Sequence, residues 1–525
     1  MLTAVRVLRW LPRRWWWNFL AWGKFFFSRP PKIERPRDDD WHLIVPEPMF
    51  EAIRAVPLYK VMVCAPADIP TDELSPVHTG FYKFQVWLYS TCMAPMQAGL
   101  PQINADPQVA LKRAFNGLRR AQFPAPKMPA EFLGSPDLGS LAVRGPFACY
   151  TTKVDDPHLD EATWEWNFLS LNGYDHHDGL VNIGSRVLFR KDPVRRSLQA
   201  SQIHSALSPN PITPTDPEWD QATKIVLCAA STHLSLVRHF NWVHLAGAAQ
   251  LAIATRNGLS ANHPLFRLLW PYIYGTQQSN DMVTRGQMVP GGDFETIFSL
   301  KFEEMCRLFD DTYGQYPHIV NDPKEDGDRR GVRSAGFDTP TQDNLEELFD
   351  VLHQFVCNYL KIYYSENPTG TNGVRRDPET LAWLTELNTR VPNGGVGVDP
   401  ATVTRASLAR MLAQQLYLVT VQHEILGSFM WNYQLWTHRQ PARIYDDFRR
   451  EPLDIYQRLV NANFNLNVHR RALMSNFDNV VLDYRAQLVM IQFQADLAKL
   501  QAKMNSEPRA VWRLYPSDLK VNINA

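Results

Sequence analysis

Apolar residues run almost without a break from Thr223 to Thr255, and the few polar positions leave no stripe for solvent. A helix that is hydrophobic nearly all round belongs inside a large core, so this segment predicts a central buried helix. Leu412–His423 has the same character. From Ala401 to Met504 the pattern is mostly helical, with its period broken at Pro441 and Pro452. Upstream, residues 41–220 mix helical patterns such as Pro107–Ala121 with prolines and loops, while Val181–Gly184 and Arg186–Arg190 predict short strands. Asn321–Gln342 and Asn367–Asp399 are polar and glycine-bearing and predict surface loops. The pattern as a whole predicts a mainly α fold with minor β elements. It contains no internal repeat, phosphate-binding glycine motif or nucleophile signature.

Three histidines interrupt the two most apolar segments: His239 and His244 in the first, His423 in the second. A buried imidazole needs a partner, and this set suggests a metal; satisfied core histidines are the alternative. Residues five apart on a regular α-helix point about 140° from each other. His239 and His244 therefore share an ion only if the helix is locally widened, as in π-bulges at functional sites. His233 falls on nearly the same face as His244 but about 16 Å along the axis, which makes it a poor co-ligand. His176-His177-Asp178 stands between Gly173 and Gly179 and reads as a solvated loop.

Lysine plus arginine and aspartate plus glutamate both number 54, so nothing globally basic invites nucleic acid. The 525 residues, 45% apolar, supply a large core. Six scattered cysteines without a Cys-x-x-Cys pair form no disulfide framework and favour a reducing, cytoplasmic compartment. Cys228 and Cys357 fall in apolar helical patterns and read as small core residues.

Four separated places in the chain resemble the lipoxygenase family. The His-x4-His helix is preceded by Trp219-Asp-Gln-Ala-Thr-Lys224, similar to the family's Trp-x-x-Ala-Lys. His263-Pro-Leu-Phe-Arg-Leu-Leu-Trp-Pro271, Ser279-Asn280 and Gly291-Gly-Asp-Phe-Glu-Thr-Ile-Phe298 resemble its His-Pro-x-x-Lys-Leu-Leu-x-Pro, Ile-Asn and Gly-Gly-x-x-Glu-x-x-Phe elements, in order. Val421-Gln-His423 stands where the third iron-binding histidine belongs. The chain ends Leu514-Tyr-Pro-Ser517 and eight further residues to Ala525, as the family does. The resemblance covers roughly residues 215–525 and implies a single large helical catalytic domain over 41–525, without the small N-terminal β-barrel that lipoxygenases often carry.

It also implies a non-haem iron held by His239, His244, His423 and the main-chain carboxylate of Ala525. The expected reaction takes hydrogen from a polyunsaturated fatty acid and adds O2 to give a hydroperoxide. The implied substrate pocket includes Asn280, Val283, Met288 and Phe294. Two departures stand out. Gly427 occupies the place of a further weak ligand, usually Asn, and the Asn-Phe-Gly-Gln run reads Gly427-Ser-Phe-Met430, without its glutamine. Groups behind the ligands orient them and tune the metal, so isomerisation of a lipid hydroperoxide, or oxygenation of another unsaturated hydrocarbon, is the alternative outcome. A non-catalytic lipid-binding protein is the third. Val283 matches neither the Ala nor the Gly that steers oxygen addition in the family, so no regiochemistry is expected from it.

Residues 1–28 form a separate aromatic and basic segment. Between Leu8 and Phe27 stand five tryptophans and four phenylalanines, with Arg9, Arg13, Arg14 and Lys24 among them. The apolar run is shorter than the roughly 20 residues that span a bilayer. Tryptophan with arginine favours the headgroup boundary, so peripheral contact with a membrane surface is expected. Residues 29–40 read as a proline-rich charged linker.

Overall fold

The first all-apolar segment becomes the axis of the molecule. A computed structural model describes residues 137–155, 163–192, 194–333, 335–437, 439–448, 459, 472–475, 478–507 and 513–523. The N-terminal segment, the linker, the helical pattern expected over Pro107–Ala121 and Pro452 lie outside the described residues. Helix α1 starts as α-helix at Trp219–His233, continues as π-helix over Leu234–Ala249 and returns to α-helix over Gln250–Gly258. Nearly every side chain in its middle is buried, which accounts for the missing polar face.

Ahead of it lies a five-stranded antiparallel meander, β1 (Thr152–Val154), β2 (Thr163–Asn167), β3 (Arg186–Asp192), β4 (Ser197–Ser205) and β5 (Ser208–Ile212), paired in chain order. Trp166, Val187, Phe189 and Ile203 are buried in the core, and β4 packs on the start of α1. Of the two expected strands, Arg186–Arg190 lies within β3. Val181–Gly184 does not form a strand: its Val181 N–H donates to the Ile444 carbonyl at 2.9 Å, across a loop contact rather than a ladder.

After α1 come α2 (Pro264–Ile273), α3 (Thr276–Gly286), α4 (Asp293–Ile297) and α5 (Phe302–Tyr313). Next are α6 (Pro323–Arg329), α7 (Pro340–Tyr363) and α8 (Pro378–Arg390). The second apolar segment lies in α9, which runs from Arg405 to Gln434 with π-helical turns at Leu418–Gln422 and Glu424–Ser428 around His423. Helix α10 (Tyr484–Ser506) packs on α7. The π portions of α1 and α9 touch directly. A Cβ on Gly247 of α1 would stand 2.4 Å from Leu418 Cδ2 of α9, so glycine gives that leucine its place at the crossing. No helix among the described residues is long and apolar enough to cross a membrane.

Both stretches expected to be surface loops contain structure. In Asn321–Gln342, α6 is capped by Asp322, whose carboxylate accepts from the Lys324 and Glu325 N–H groups, and Asn321, Asp322, Asp326 and Arg330 are buried. Arg330 donates to Asp326 at 2.7 Å, to the Ala148 and Thr151 carbonyls at 3.1 Å and to Gln342 at 2.8 Å. Polarity there reports a buried network rather than solvation. In Asn367–Asp399, α8 buries Thr380, Trp383, Leu384 and Leu387 at helical spacing behind an Asp377 cap and Pro378. Of the core cysteines, Cys228 is buried and Cys357 only partly so; both are free thiols.

Two histidines beside this core are held neutral. Burial, aided by the Arg238 charge, lowers His233 to about 3. Burial also lowers His318 to about 4, against the opposing pull of Asp322. Both titrate near 6.5 when unfolded. The unfolded chain therefore binds more protons between those values, and stability is lost as pH falls from about 6.5 toward 4. We expect the melting midpoint to drop between pH 7 and pH 5, and His318→Gln to flatten that slope. An unchanged slope in the variant would show that this imidazole does not couple folding to protons.

Candidate metal centre

His239 and His244 stand on the π-helical part of α1, where hydrogen bonding from i to i+5 stacks residues five apart. The required widening spans 16 residues rather than a single bulge. His423 comes from α9, between that helix's two π segments. His244 Nε2 lies 3.3 Å from His239 Nε2 and 2.9 Å from His423 Nε2. The three imidazoles are 5%, 2% and 0% exposed, so they meet inside the protein. Among the described residues this is the one group of histidine, cysteine or carboxylate side chains placed to hold a metal.

The tautomer of His244 decides what the cluster can do. Asn280 on α3 donates from Nδ2 to the His244 carbonyl at 3.2 Å, which turns its Oδ1 toward His244 Nδ1 at 2.9 Å. An amide oxygen only accepts, so His244 Nδ1 carries the proton and its Nε2 presents a lone pair to the other two rings. Two nitrogens about 2.1 Å from one ion and at right angles lie about 3 Å apart, close to the separations here. The donor set fits a metal ion of the imidazole-binding kind.

Asn280 thus supports His244. Its amide is consumed at both ends and fully buried. Val283 is partly buried against the core and Met288 is buried. Phe294 packs edge-on to Phe240 at 5.5 Å, and Phe240 lies 5.4 Å from His244, so Phe294 stands one ring away from the centre. A cavity of about 50 Å³ is walled partly by Arg238 on α1 and by Gln422, Ile425 and Leu426 on α9, and by none of the four expected pocket residues. The sequence signal for it was Arg238, a cation inside an otherwise apolar helix.

Ala525 lies outside the described residues. The chain leading to it is pinned: Asn522 donates to the Pro271 and Tyr274 carbonyls at 3.1 and 3.0 Å, and Ser279, beside Asn280, donates to the Ile523 carbonyl at 3.4 Å. His233 is elsewhere, its Nδ1 bonded to the Tyr150 hydroxyl at 2.8 Å. His176 and His177 are loop residues; the His177 N–H donates to the Ser299 carbonyl at 3.0 Å. Glu424 escaped the sequence reading. It is 2% exposed, with Oε1 at 3.7 Å from His423 Nδ1. No periodicity signals a buried carboxylate beside His423.

The two departures also have a structural meaning. An ideal Cβ on Gly427 would lie 2.4 Å from His239 Nε2, so the imidazole occupies the space that a side chain there would need. Met430 is fully buried and accepts from Ser235 Oγ at 3.7 Å, one turn before His239.

Helices enclosing buried imidazoles contributed by two widened central segments define a lipoxygenase-type catalytic domain. Coral 8R-lipoxygenase superposes with a TM-score of 0.70 at 18% identity, over 85% of this chain and 75% of that one. A calcium-dependent 11R-lipoxygenase gives 0.68 at 17% identity, over 84% of this chain and 72% of that one. The Lipoxygenase family model matches residues 191–463, a little over half of the sequence. The chain belongs to the lipoxygenase family. Among curated relatives, polyunsaturated fatty acid lipoxygenase ALOX12 of Mus musculus is 24% identical over 348 residues, 61% of this chain and 51% of that protein. Linoleate 13S-lipoxygenase 2-1 of Solanum tuberosum is 28% identical over 183 residues, 32% of this chain and 20% of that protein. The chain spans about half the length of the mouse relative.

Gly427→Ala should separate folding from metal binding. Replacing a helical glycine adds roughly 0.5–1 kcal/mol of stability, while the new methyl swings the tip of His239 out of the cluster. The melting midpoint of the chelator-treated variant is expected to hold or rise while its metal content, measured by elemental analysis, falls. Full metal occupancy in that variant would contradict the packing of His239 on Gly427.

Proposed function

We propose that this chain is a non-haem iron dioxygenase of polyunsaturated fatty acids. The observation that carries the reading is the convergence of three Nε2 atoms, from residues 239, 244 and 423, at a buried point lined by Phe240. Imidazoles with a carboxylate and open positions favour iron that meets oxygen. His239, His244 and His423 would hold the ion, with the main-chain carboxylate of Ala525 as the fourth group. Iron, when bound, supplies the one-electron chemistry and Lewis acidity needed to break a weak C–H bond.

The chain's own residues do the rest. Asn280 keeps the lone pair of His244 directed at the centre. Phe240, Phe294 and Phe298 form an apolar flank that excludes water and suits a hydrocarbon chain. In the net reaction one lipid C–H bond breaks, and the hydrogen and both oxygen atoms of O2 end in the hydroperoxide, so no external reductant is required. Val283 and Met288 remain candidates for pocket residues, and the fatty-acid substrates named for the mouse and potato relatives support the substrate class.

A second reading keeps iron and changes the outcome to isomerisation of a lipid hydroperoxide. It is favoured by Gly427, which offers no donor and leaves no room for one beside His239. Product analysis after supplying linoleate or its hydroperoxide separates the two. A lipid-binding protein with structural histidines would contain no iron.

His239→Ala, His244→Ala and His423→Ala should each lower bound iron at least about 10-fold, since even groups behind a ligand change affinity 10–100-fold. His233→Ala should keep its iron. Elemental analysis of the purified variants checks this, and the reverse pattern would overturn the ligand set.

Adding one residue after Ala525 converts the terminal carboxylate into a peptide carbonyl. Ligand charge and geometry set affinity, so such an extension should strongly reduce both iron and oxygen uptake on linoleate, whereas the same extension at the N-terminus should not. Full iron and full turnover in the C-terminally extended protein would refute the role of the chain end.

A further inference from the structure

Helix α10 is apolar on two opposite faces. Ala486, Met490, Phe493, Leu497, Leu500 and Met504 recur at steps of four and three residues. This buried face packs on α7, with Phe493 stacked on Phe355 at 4.2 Å. Tyr484, Leu488, Ile491, Ala495, Ala498 and Ala502 repeat the same steps two residues earlier, about 200° round the helix. All six are exposed, and Tyr484, Leu488 and Ile491 are 69%, 47% and 49% open to solvent. Apart from Leu482 beside them, Leu169 and Val194 are the only exposed large hydrophobic residues among those described. Alternating steps of four and three are the spacing by which one helix receives another.

The exposed face matches its own copy. Its bulk lies in the first half, at Tyr484, Leu488 and Ile491, and its alanines fill the second half. Antiparallel pairing about a two-fold axis between Ile491 and Ala495 sets Tyr484 of one copy against Ala502 of the other. The same axis sets Leu488 against Ala498 and Ile491 against Ala495, so each layer joins a large side chain to a small one. A two-fold contact demands such self-complementarity. Parallel pairing would crowd Tyr484 on Tyr484 and leave alanine facing alanine.

The polar groups on either side already have partners. Gln487 and Gln494 donate to the Val481 and Leu473 carbonyls at 3.2 and 3.1 Å, and Gln501 accepts from the Ser517 N–H at 3.0 Å. Along the other side Arg485 pairs with Asp483 at 2.7 Å and Gln492 donates to Asp496 at 2.9 Å. Lys499 is exposed and long enough to keep its ammonium in water. Docking therefore buries apolar surface without stranding a polar group. A 23-residue helix is about 34 Å long, and covering a stripe of about 100° on each of two copies removes on the order of 1,000 Å² from water. That is the least a specific interface needs, and it suits a reversible contact. A membrane surface would gain little from the alanine half. We infer that α10 is the contact of a reversible homodimer, in which two copies of the chain pair antiparallel through this face. The inference is independent of the reaction at the metal centre.

Sedimentation of the full chain is expected to show its mass rising from one chain toward two over roughly 1–100 µM, as suits so small a contact. Leu488→Glu and Ala498→Lys each place an unpaired charge in two layers, so each should weaken the dimer at least about 10-fold. Both positions are exposed, so the melting midpoints should stay near the native value. Combining the two substitutions in one chain sets opposite charges against each other in both layers and should recover at least about 10-fold. Parallel pairing would oppose like charges and recover nothing.

A dimer broken by each single variant and regained in the double variant supports the inference. A native chain that stays single throughout overturns it, as does a dimer that both single variants keep or a double variant no better than the singles. Vesicles of phosphatidylcholine with phosphatidylserine supply the other arm. A monomeric chain that binds them, and loses that binding in Leu488→Glu, assigns the face to a lipid surface and overturns the dimer.

Discussion

The widening of α1 is the constraint on which the rest of the structure depends. Regular α-helical geometry would turn His239 and His244 away from each other; π-helical bonding over Leu234–Ala249 puts them together. Side-chain amides add further donors to the carbonyls of this stretch. Asn280 donates to the His244 carbonyl at 3.2 Å, Gln277 to that of Ala249 at 3.2 Å and Gln250 to that of Leu245 at 3.0 Å. This explains why the first turns of α3, Thr276 to Asn280, are both polar and fully buried or nearly so. They present a polar surface to the helix carbonyls.

The same helix pair couples the centre to the ends of the fold. Gly247 lets α9 approach closely enough for His423 to reach the other two imidazoles. Ser279, next to Asn280, donates to the Ile523 carbonyl, and Asn522 ties that segment to Pro271 in α2 and to Tyr274 just after it. A short run of α3 therefore sets the tautomer of His244 and the course of the chain toward its terminus. Changes there would act on the orientation of His244.

On the other flank, charge is buried in quantity. Asp322 caps α6, accepts from Arg410 at 2.8 Å and is fully buried; Asp326 and Arg330 pair beneath it. Breaking one partner of such a pair costs far more than the pair contributes, since it leaves a charge without water or counter-ion. That rigidity gives the cavity at Arg238 a fixed wall. Tyr150 links the two regions, since it bonds His233 and lies under Arg238.

The amino-acid sequence by itself determined the mainly helical class, the central position of α1 and of the Leu412–His423 segment, and the need for a widened helix at the His239–His244 pair. These follow from periodicity and spacing, which are local quantities. The departures at Gly427 and Met430 were legible as well, because they are single positions in a motif. The tertiary structure alone decided which polar residues are solvated and which are buried partners. Asn321–Gln342 looked like a loop, since a buried ion pair and a solvated one have the same composition; only the arrival of Ala148, Thr151 and Gln342 around Arg330 tells them apart. Helix α8 was missed for a lesser reason, its apolar period lying among polar and glycine residues at both ends. That Asn280 supports His244 was not legible, because its partner stands 36 residues away. Glu424, Arg238 and the cavity are likewise consequences of which helices meet, and burial at that distance in sequence leaves no local pattern to read.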